Sequence, residues 1–294
     1  MSPEQTLSVG RWVQYASVMM LWGSCLYLAT LVPGPLARVV DARLRRFWHA
    51  LAAAAILSTL SIVPLETAAI GQGWSDALDL AAIGAVFRET GLGRVWGVQD
   101  ALALLMALAL TAPSRSRAPL LAGFSALLLA SFSMRGHAVM HGGWLGASHR
   151  FIDAVHVLCA GAWLGGLVVL VPVLSALAQP TLRAEATTAL SRFSTAGHAV
   201  VALLLTSGAA NTWLVLGRLP TRWTSHYQAV LALKLVAAAA MVALAVFNRY
   251  VQVPRLRRHQ PGTLRAIRVA VWTEMALGLA AVSLVSVLGM LDPV

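Results

Sequence analysis

Eight stretches of the chain stay apolar for about the length a helix needs to cross a bilayer, roughly 20 residues at about 1.5 Å each. They run near 12–33, 48–70, 96–112, 118–136, 151–178, 193–217, 227–249 and 267–291. The third is the shortest and carries Asp100. Barrel strands would alternate with a period of two over about ten residues; the alanine runs at 52–55 and 237–240 do not. The pattern predicts an all-α polytopic integral membrane bundle of about eight transmembrane helices, one membrane domain spanning 1–294. The connection 71–95 mixes Trp74, Asp76, Asp79, Arg88 and Glu89 with an apolar patch at 78–86. That mixture predicts a short helix lying at the membrane interface.

The polar connections set the orientation. The loops 34–47, 113–117, 179–192 and 249–268 hold fourteen Arg, against seven Arg in both termini and the other loops. Basic loops stay on the cytoplasmic side, so both termini are expected in the periplasm of a two-membrane bacterium. Short matches also hint at a four-plus-four repeat: Arg11-Trp12 with Arg150-Phe151, and Arg46-Phe47 with Arg192-Phe193. The halves would be 12–136 and 150–291.

Composition sharpens the class. Of 294 residues, 59% are hydrophobic and 11% charged, less than half the roughly 25% charge of a soluble domain. Soluble enzyme, secreted disulfide scaffold and disordered tail are excluded. The net charge of +11 comes from 21 Arg and one Lys, Lys234, against 11 acids. Because the Arg sit between apolar runs, membrane orientation explains them better than nucleic-acid binding. Cys25 and Cys159 both fall in apolar stretches, which argues against a disulfide framework or a paired-cysteine metal site. The first apolar run lacks the basic segment of a cleavable signal peptide.

Candidate chemistry concentrates in one place. His137, His141, His149 and His156 fall within 20 residues at the outer end of the fourth and fifth helices, with Met134, Met140, Trp144 and Asp153 nearby. Imidazole and thioether sulfur together suit copper, the thioether favouring Cu(I). Helical spacing would put Met134, His137 and His141 on one stripe before Gly142-Gly143 ends the helix. On the fifth helix Asp153, His156 and Trp163 share a face, and an intramembrane Asp and His face a bundle interior or a wet path. Asp153 could orient the His156 imidazole, as carboxylates do for metal-bound histidines. Gly161 and Gly165 form a GxxxG that predicts close helix packing. His198 stands alone near the inner end of the sixth helix; Lys234 and Asp100 lie at similar depth and are expected to pair; Glu274 has no expected partner.

Several phrases in order resemble the copper resistance protein D (CopD) family: Asp153-Ala-Val-His156 followed by Trp163-Leu-Gly165-Gly166, then Arg192-Phe193-Ser194, Ser207-Gly208, Tyr227 with Lys234, and Asn248-Arg249. Gly136-His137-Ala138 is similar to that family's corresponding step. The match is best over 150–291. The resemblance implies a multi-pass inner-membrane protein of copper handling that moves copper from periplasm toward cytoplasm, and it marks His137, Asp153, His156, Trp163 and Lys234 as family-pattern positions. His141, His149 and His198 are added from position. With Cys159, Met19 and Met20 they make a ladder of soft and imidazole ligands at successive depths, about 5 Å for Asp153, 9 Å for His156 and 12–14 Å for the sulfur groups. Nothing suggests an enzyme or a nucleotide-driven pump, since no phosphate-binding loop is present. Copper ion, membrane lipid, a separate periplasmic chaperone and a second copy of the chain are the expected partners, and nucleic acid is not. The rival reading is a haem cytochrome using His49, His137, His156 and His198 on four helices.

Overall fold

The computed structural model describes residues 1–218, 221, 225–258, 260–289 and 291, without the side chains of 137, 138 and 257. Ten α-helices follow in order: α1 (Pro3–Thr30), α2 (Gly34–Ile70), α3 (Leu80–Glu89), α4 (Gly93–Ala109), α5 (Ser114–Ser131), α6 (Gly143–Ala176), α7 (Arg183–Leu216), α8 (His226–Phe247), α9 (Val253–Arg257) and α10 (Thr263–Leu288). Among the described residues there is no strand. A capping box starts α1: the Gln5 backbone N–H donates to Ser2 Oγ and the Ser2 N–H to Gln5 Oε1. Two of the four N-terminal amides that a helix leaves unpaired are thereby served.

Among the described residues six helices are long and apolar enough to cross a membrane, and seven if α3 and α4, which meet at a bend of 110°, count as one broken span. The expected count of eight is thus only partly met on that measure. The missing one is α1, whose stretch is diluted by Gln14, Tyr15, Ser17 and Ser24. These residues do not face lipid. Gln14, Ser17 and Ser24 are buried, and Gln14 Nε2 donates to Thr59 Oγ1 of α2 at 3.1 Å. A helix surrounded by protein can carry such groups because its neighbours satisfy them. The interfacial connection does contain a short helix, α3, capped by the Asp79 carboxylate, which accepts from the amides of Ala81 and Ala82.

Helix α1 is the centre of the bundle and packs on α2, α5, α6 and α10. Its seam with α6 is the closest in the fold. A Cβ at Gly23 would lie 2.0 Å from the Gly161 carbonyl oxygen, and one at Gly165 would lie 2.5 Å from the Ser24 nitrogen. Only glycines let the two backbones approach so closely, the packing expected of the GxxxG at Gly161 and Gly165. Trp22 Nε1 donates across the same seam to the Leu158 carbonyl at 2.9 Å. The second half is looser. Helix α7 lies along α6 and α8 along α10, while α7 and α8 barely meet. Between them a cavity of about 1100 Å³ remains, bounded also by α1, α6 and α10.

Candidate functional site

The histidine-bearing loop is held in place from α1. Arg135 donates to Gln14 Oε1 at 2.6 Å and lies over the Phe132 ring, 4.6 Å from its centroid. The Phe132 ring itself packs on Tyr15 at 4.7 Å. Beyond Arg135 the chain does not continue as a helix. It makes short 3-10 turns at Phe132–Met134 and Gly136–Val139 and then reverses at Gly142 and Gly143, the latter at φ +59°. The expected helical stripe of Met134, His137 and His141 is therefore replaced by a folded loop. The glycines break it, because positive φ costs little only without a Cβ.

The reversal has a purpose in the geometry. His141 folds back against the first turn of α6 so tightly that a Cβ at Gly146 would lie 2.1 Å from the His141 carbonyl oxygen. That approach brings His141 Nδ1 to 3.2 Å from His149 Nδ1. His149 is buried and His141 is half-buried. Met134 and Met140 are exposed at the edges of the loop, and the side chain of His137 lies outside the described residues. Among the described residues no group of three or more His, Cys, Asp or Glu is placed to hold a metal ion.

One and two turns further along α6 come Asp153 and His156. Asn211 Nδ2 of α7 donates to Asp153 Oδ1 at 3.0 Å. His156 Nδ1 lies 3.2 Å from both the Leu204 carbonyl and Ser207 Oγ. The Ser207 hydroxyl donates to the Leu203 carbonyl, so the hydrogen on the Nδ1 side belongs to the imidazole. Its Nε2 then keeps the lone pair. The ring lies against Gly208, where a Cβ would sit 3.0 Å from His156 Cε1. Lys234 of α8 acts electrostatically on His156, and Asp153 is the acid that acts on Lys234. The expected Asp100–Lys234 pair does not form. Among the described residues the ion pairs are Arg11–Glu66 and Arg117–Asp41. Asp100 sits on α4, which packs on α2, α3 and α5, far from α8 and its neighbour α10.

The opposite, arginine-rich end holds a second polar group that sequence reasoning did not assemble. Glu274 of α10 is buried. Its Oε2 accepts from Trp163 Nε1 of α6 at 3.3 Å, and its Oε1 accepts from Asn248 Nδ2 at 3.0 Å. Asn248 opens a π-helical turn, Asn248–Gln252, between α8 and α9, and such turns re-aim side chains at functional sites. The same turn points Arg249 at Ser194 of α7. Glu274, Trp163, Asn248, Arg249 and Ser194 all lie on the wall of the large cavity, together with His198. The usable signal was present: Trp163, Arg192-Phe193-Ser194 and Asn248-Arg249 recur in order as family-like phrases, and three separate helices bring them together.

The remaining candidates are dispersed. Met19 and Met20 are buried on α1 beside the α6 seam, and Cys159 is buried on α6. His198 Nδ1 lies 2.9 Å from the Ser194 carbonyl and Nε2 3.4 Å from the Tyr250 hydroxyl. His49 is exposed on α2, with Nδ1 2.7 Å from the Arg45 carbonyl of its own helix.

Comparison with known proteins completes the description. Residues 2–147 match the family profile described as Copper resistance protein D-like, N-terminal domain, and residues 187–288 match that described as Copper resistance protein D. The chain is 32% identical to inner membrane protein YebZ of Escherichia coli K12, over 96% of its own length and 97% of that protein's. It is 28% identical to copper resistance protein D of Pseudomonas syringae pv. tomato, over 99% and 98% of the two chains. To copper transport protein CutJ of Bacillus subtilis 168 it is 27% identical, over 92% of its own length and 50% of the relative's. No solved structure matches.

Proposed function

The chain belongs to the copper resistance protein D family and is a multi-pass inner-membrane protein, and from that premise we propose that it carries copper ions from periplasm toward cytoplasm. It does so as a carrier and not as an enzyme, crossing the membrane eight times with α1 first and the α3–α4 pair third. The histidine end faces the periplasm with both termini, and the fourteen Arg of the other loops face the cytoplasm. A periplasmic copper chaperone delivers the ion to the loop that carries His141.

The observation that carries this reading is the His141–His149 pair, with two ring nitrogens facing each other at 3.2 Å. With imidazole–metal bonds of about 2.0 Å, that spacing corresponds to a bent chelate of about 105°. The haem reading needs His49, His137, His156 and His198 in facing pairs, whereas His49 is turned to the Arg45 carbonyl of its own helix and His198 to Ser194 and Tyr250. The exposed Met134 and Met140 supply thioethers at the rim, the ligand that selects Cu(I). His156, with its Nε2 lone pair available, is the next step inward.

Competition for Cu(I) between the purified protein and a chromophoric chelator tests the reading. His141→Ala/His149→Ala is expected to weaken binding by about 100-fold or more, beyond the 10–100-fold that loss of a supporting group costs at a metal site. Acidification is expected to weaken wild-type binding as well, because protons compete with the metal for imidazole nitrogen. An unchanged affinity in a folded double variant would refute the capture site.

A further inference from the structure

Glu274 is a buried carboxyl with an incomplete set of partners. Its two hydrogen bonds come from neutral groups, Trp163 Nε1 and Asn248 Nδ2. Among the described residues no cationic side chain forms an ion pair with it. Beside it, Asn248 Oδ1 is buried and accepts no hydrogen bond. Two oxygen groups thus meet at the wall of a cavity of about 1100 Å³, and neither has a positive partner. A carboxylate in such a place needs a counter-charge, since an unpaired buried charge is strongly unfavourable. Oxygen-only donors suit a proton or a hard cation better than they suit Cu(I).

The titratable and charged groups on the surrounding elements do not supply that charge directly. The cavity wall carries Tyr27 from α1, Arg183 and His198 from α7, and Arg249 and Tyr250 from the π-helical turn, while α6 presents the neutral Trp163. Arg249 is turned to Ser194, and His198 to Ser194 and Tyr250. The indole that holds Glu274 rides on α6, seven residues beyond His156, or about 10 Å along the axis. The same helix thus carries both His156 and the donor to Glu274.

We propose that Glu274, with Asn248, is a proton-exchanging station: the carboxyl holds a proton while the protein is empty and releases it when copper enters the cavity. The O–H bond of the carboxyl breaks, the proton passes to water at the arginine end, and the cation left in the cavity balances the carboxylate. When the Cu(I) departs the proton returns, one monovalent cation replacing another, so the net charge of the cavity stays constant. No redox change is involved. This inference rests on the copper-carrier reading.

Infrared difference spectra of the full-length protein in lipid, with Cu(I) added to the empty form, read the step directly. Wild type is expected to lose a carboxylic-acid C=O band and gain a carboxylate band on binding copper. Glu274→Gln is expected to show neither change and to release about one proton fewer per copper into weakly buffered solution, proton release being the general companion of metal binding. His141→Ala/His149→Ala at saturating copper should retain the Glu274 band change, which separates it from protons lost by imidazole. A wild-type protein that binds and transports copper with no change in the acid band overturns the inference while sparing the carrier reading. The same follows if the band changes with sodium and not with copper. Wild-type protein that neither binds nor moves copper removes the carrier reading itself. Because the band is read in wild type, the test stands even if Glu274→Gln fails to fold.

Discussion

Asp153 and Glu274 have the same local chemistry and different surroundings. Each carboxyl accepts a hydrogen bond of 3.0 Å from an asparagine amide, Asn211 or Asn248. In each case the asparagine's own Oδ1 is buried without a donor. Each has α6 as a shared wall. At the histidine end, however, Lys234 of α8 and Asp153 of α6 act on one another electrostatically. At the arginine end no lysine or arginine among the described residues pairs with Glu274, and the space beside it is a cavity. A carboxylate that has a lysine acting on it organises its neighbours, here the helix face that carries His156. One without such a lysine is left to exchange its partner. The difference separates a positioning role from a proton-carrying role within one bundle.

Removing the counter-charge should produce the largest effect. Lys234→Met removes the buried cation of α8 that acts on the Asp153 region and is expected to destabilise the protein by about 3 kcal/mol, the usual consequence of deleting one member of a buried charged group. Asp153→Asn in the same chain should restore most of it. Glu274→Gln, by contrast, should change stability by less than about 1 kcal/mol, because a neutral amide loses no cationic partner. Thermal unfolding in detergent distinguishes them, and equal effects from the two substitutions would erase the distinction.

A smaller effect should come from the seam that carries α6 between the two regions. Gly165→Ala forces a methyl to within 2.5 Å of the Ser24 nitrogen, and overpacking of this kind costs about 1–3 kcal/mol. Gly165 lies two residues from Trp163, so the cavity end should report it first, as altered tryptophan emission with copper capture by His141 and His149 intact. Trp163→Phe removes one neutral donor from Glu274 and should cost about 1 kcal/mol. It should also move the pH at which the carboxyl exchanges its proton. The smallest change is expected for Ser207→Ala. His156 keeps the Leu204 carbonyl as an acceptor, so chemical denaturation should register a loss below about 1 kcal/mol.

Most of the helical layout was legible because crossing a bilayer imposes a length and a composition that a chain cannot conceal. The GxxxG reading of Gly161 and Gly165 held for a similar reason: glycine pairs one turn apart have few uses besides close approach. What sequence could not give was rotation and neighbourhood. Lys234 was matched to Asp100 by depth, yet depth along an axis says nothing of which helices touch, and α4 and α8 do not pack together. Glu274 had no partner in sequence because its two donors come from 111 and 26 residues away. The His141–His149 contact was also hidden. Gly142-Gly143 separates the two residues in sequence, and the contact is made by a loop folding back over Gly146. The stretch 12–33 was read as a span, and α1 falls below the hydropathy of the other spanning helices because a helix enclosed by protein need not look like one exposed to lipid.

The capture of copper by the His141–His149 pair is the central claim, and X-ray absorption at the copper edge of Cu(I)-loaded protein in lipid tests it most directly. Wild type should show at least two imidazole nitrogens at about 2.0 Å, and that imidazole signature should vanish from the tightly bound copper in His141→Ala/His149→Ala. Identical spectra from the wild type and the double variant, with equal copper content, would contradict it.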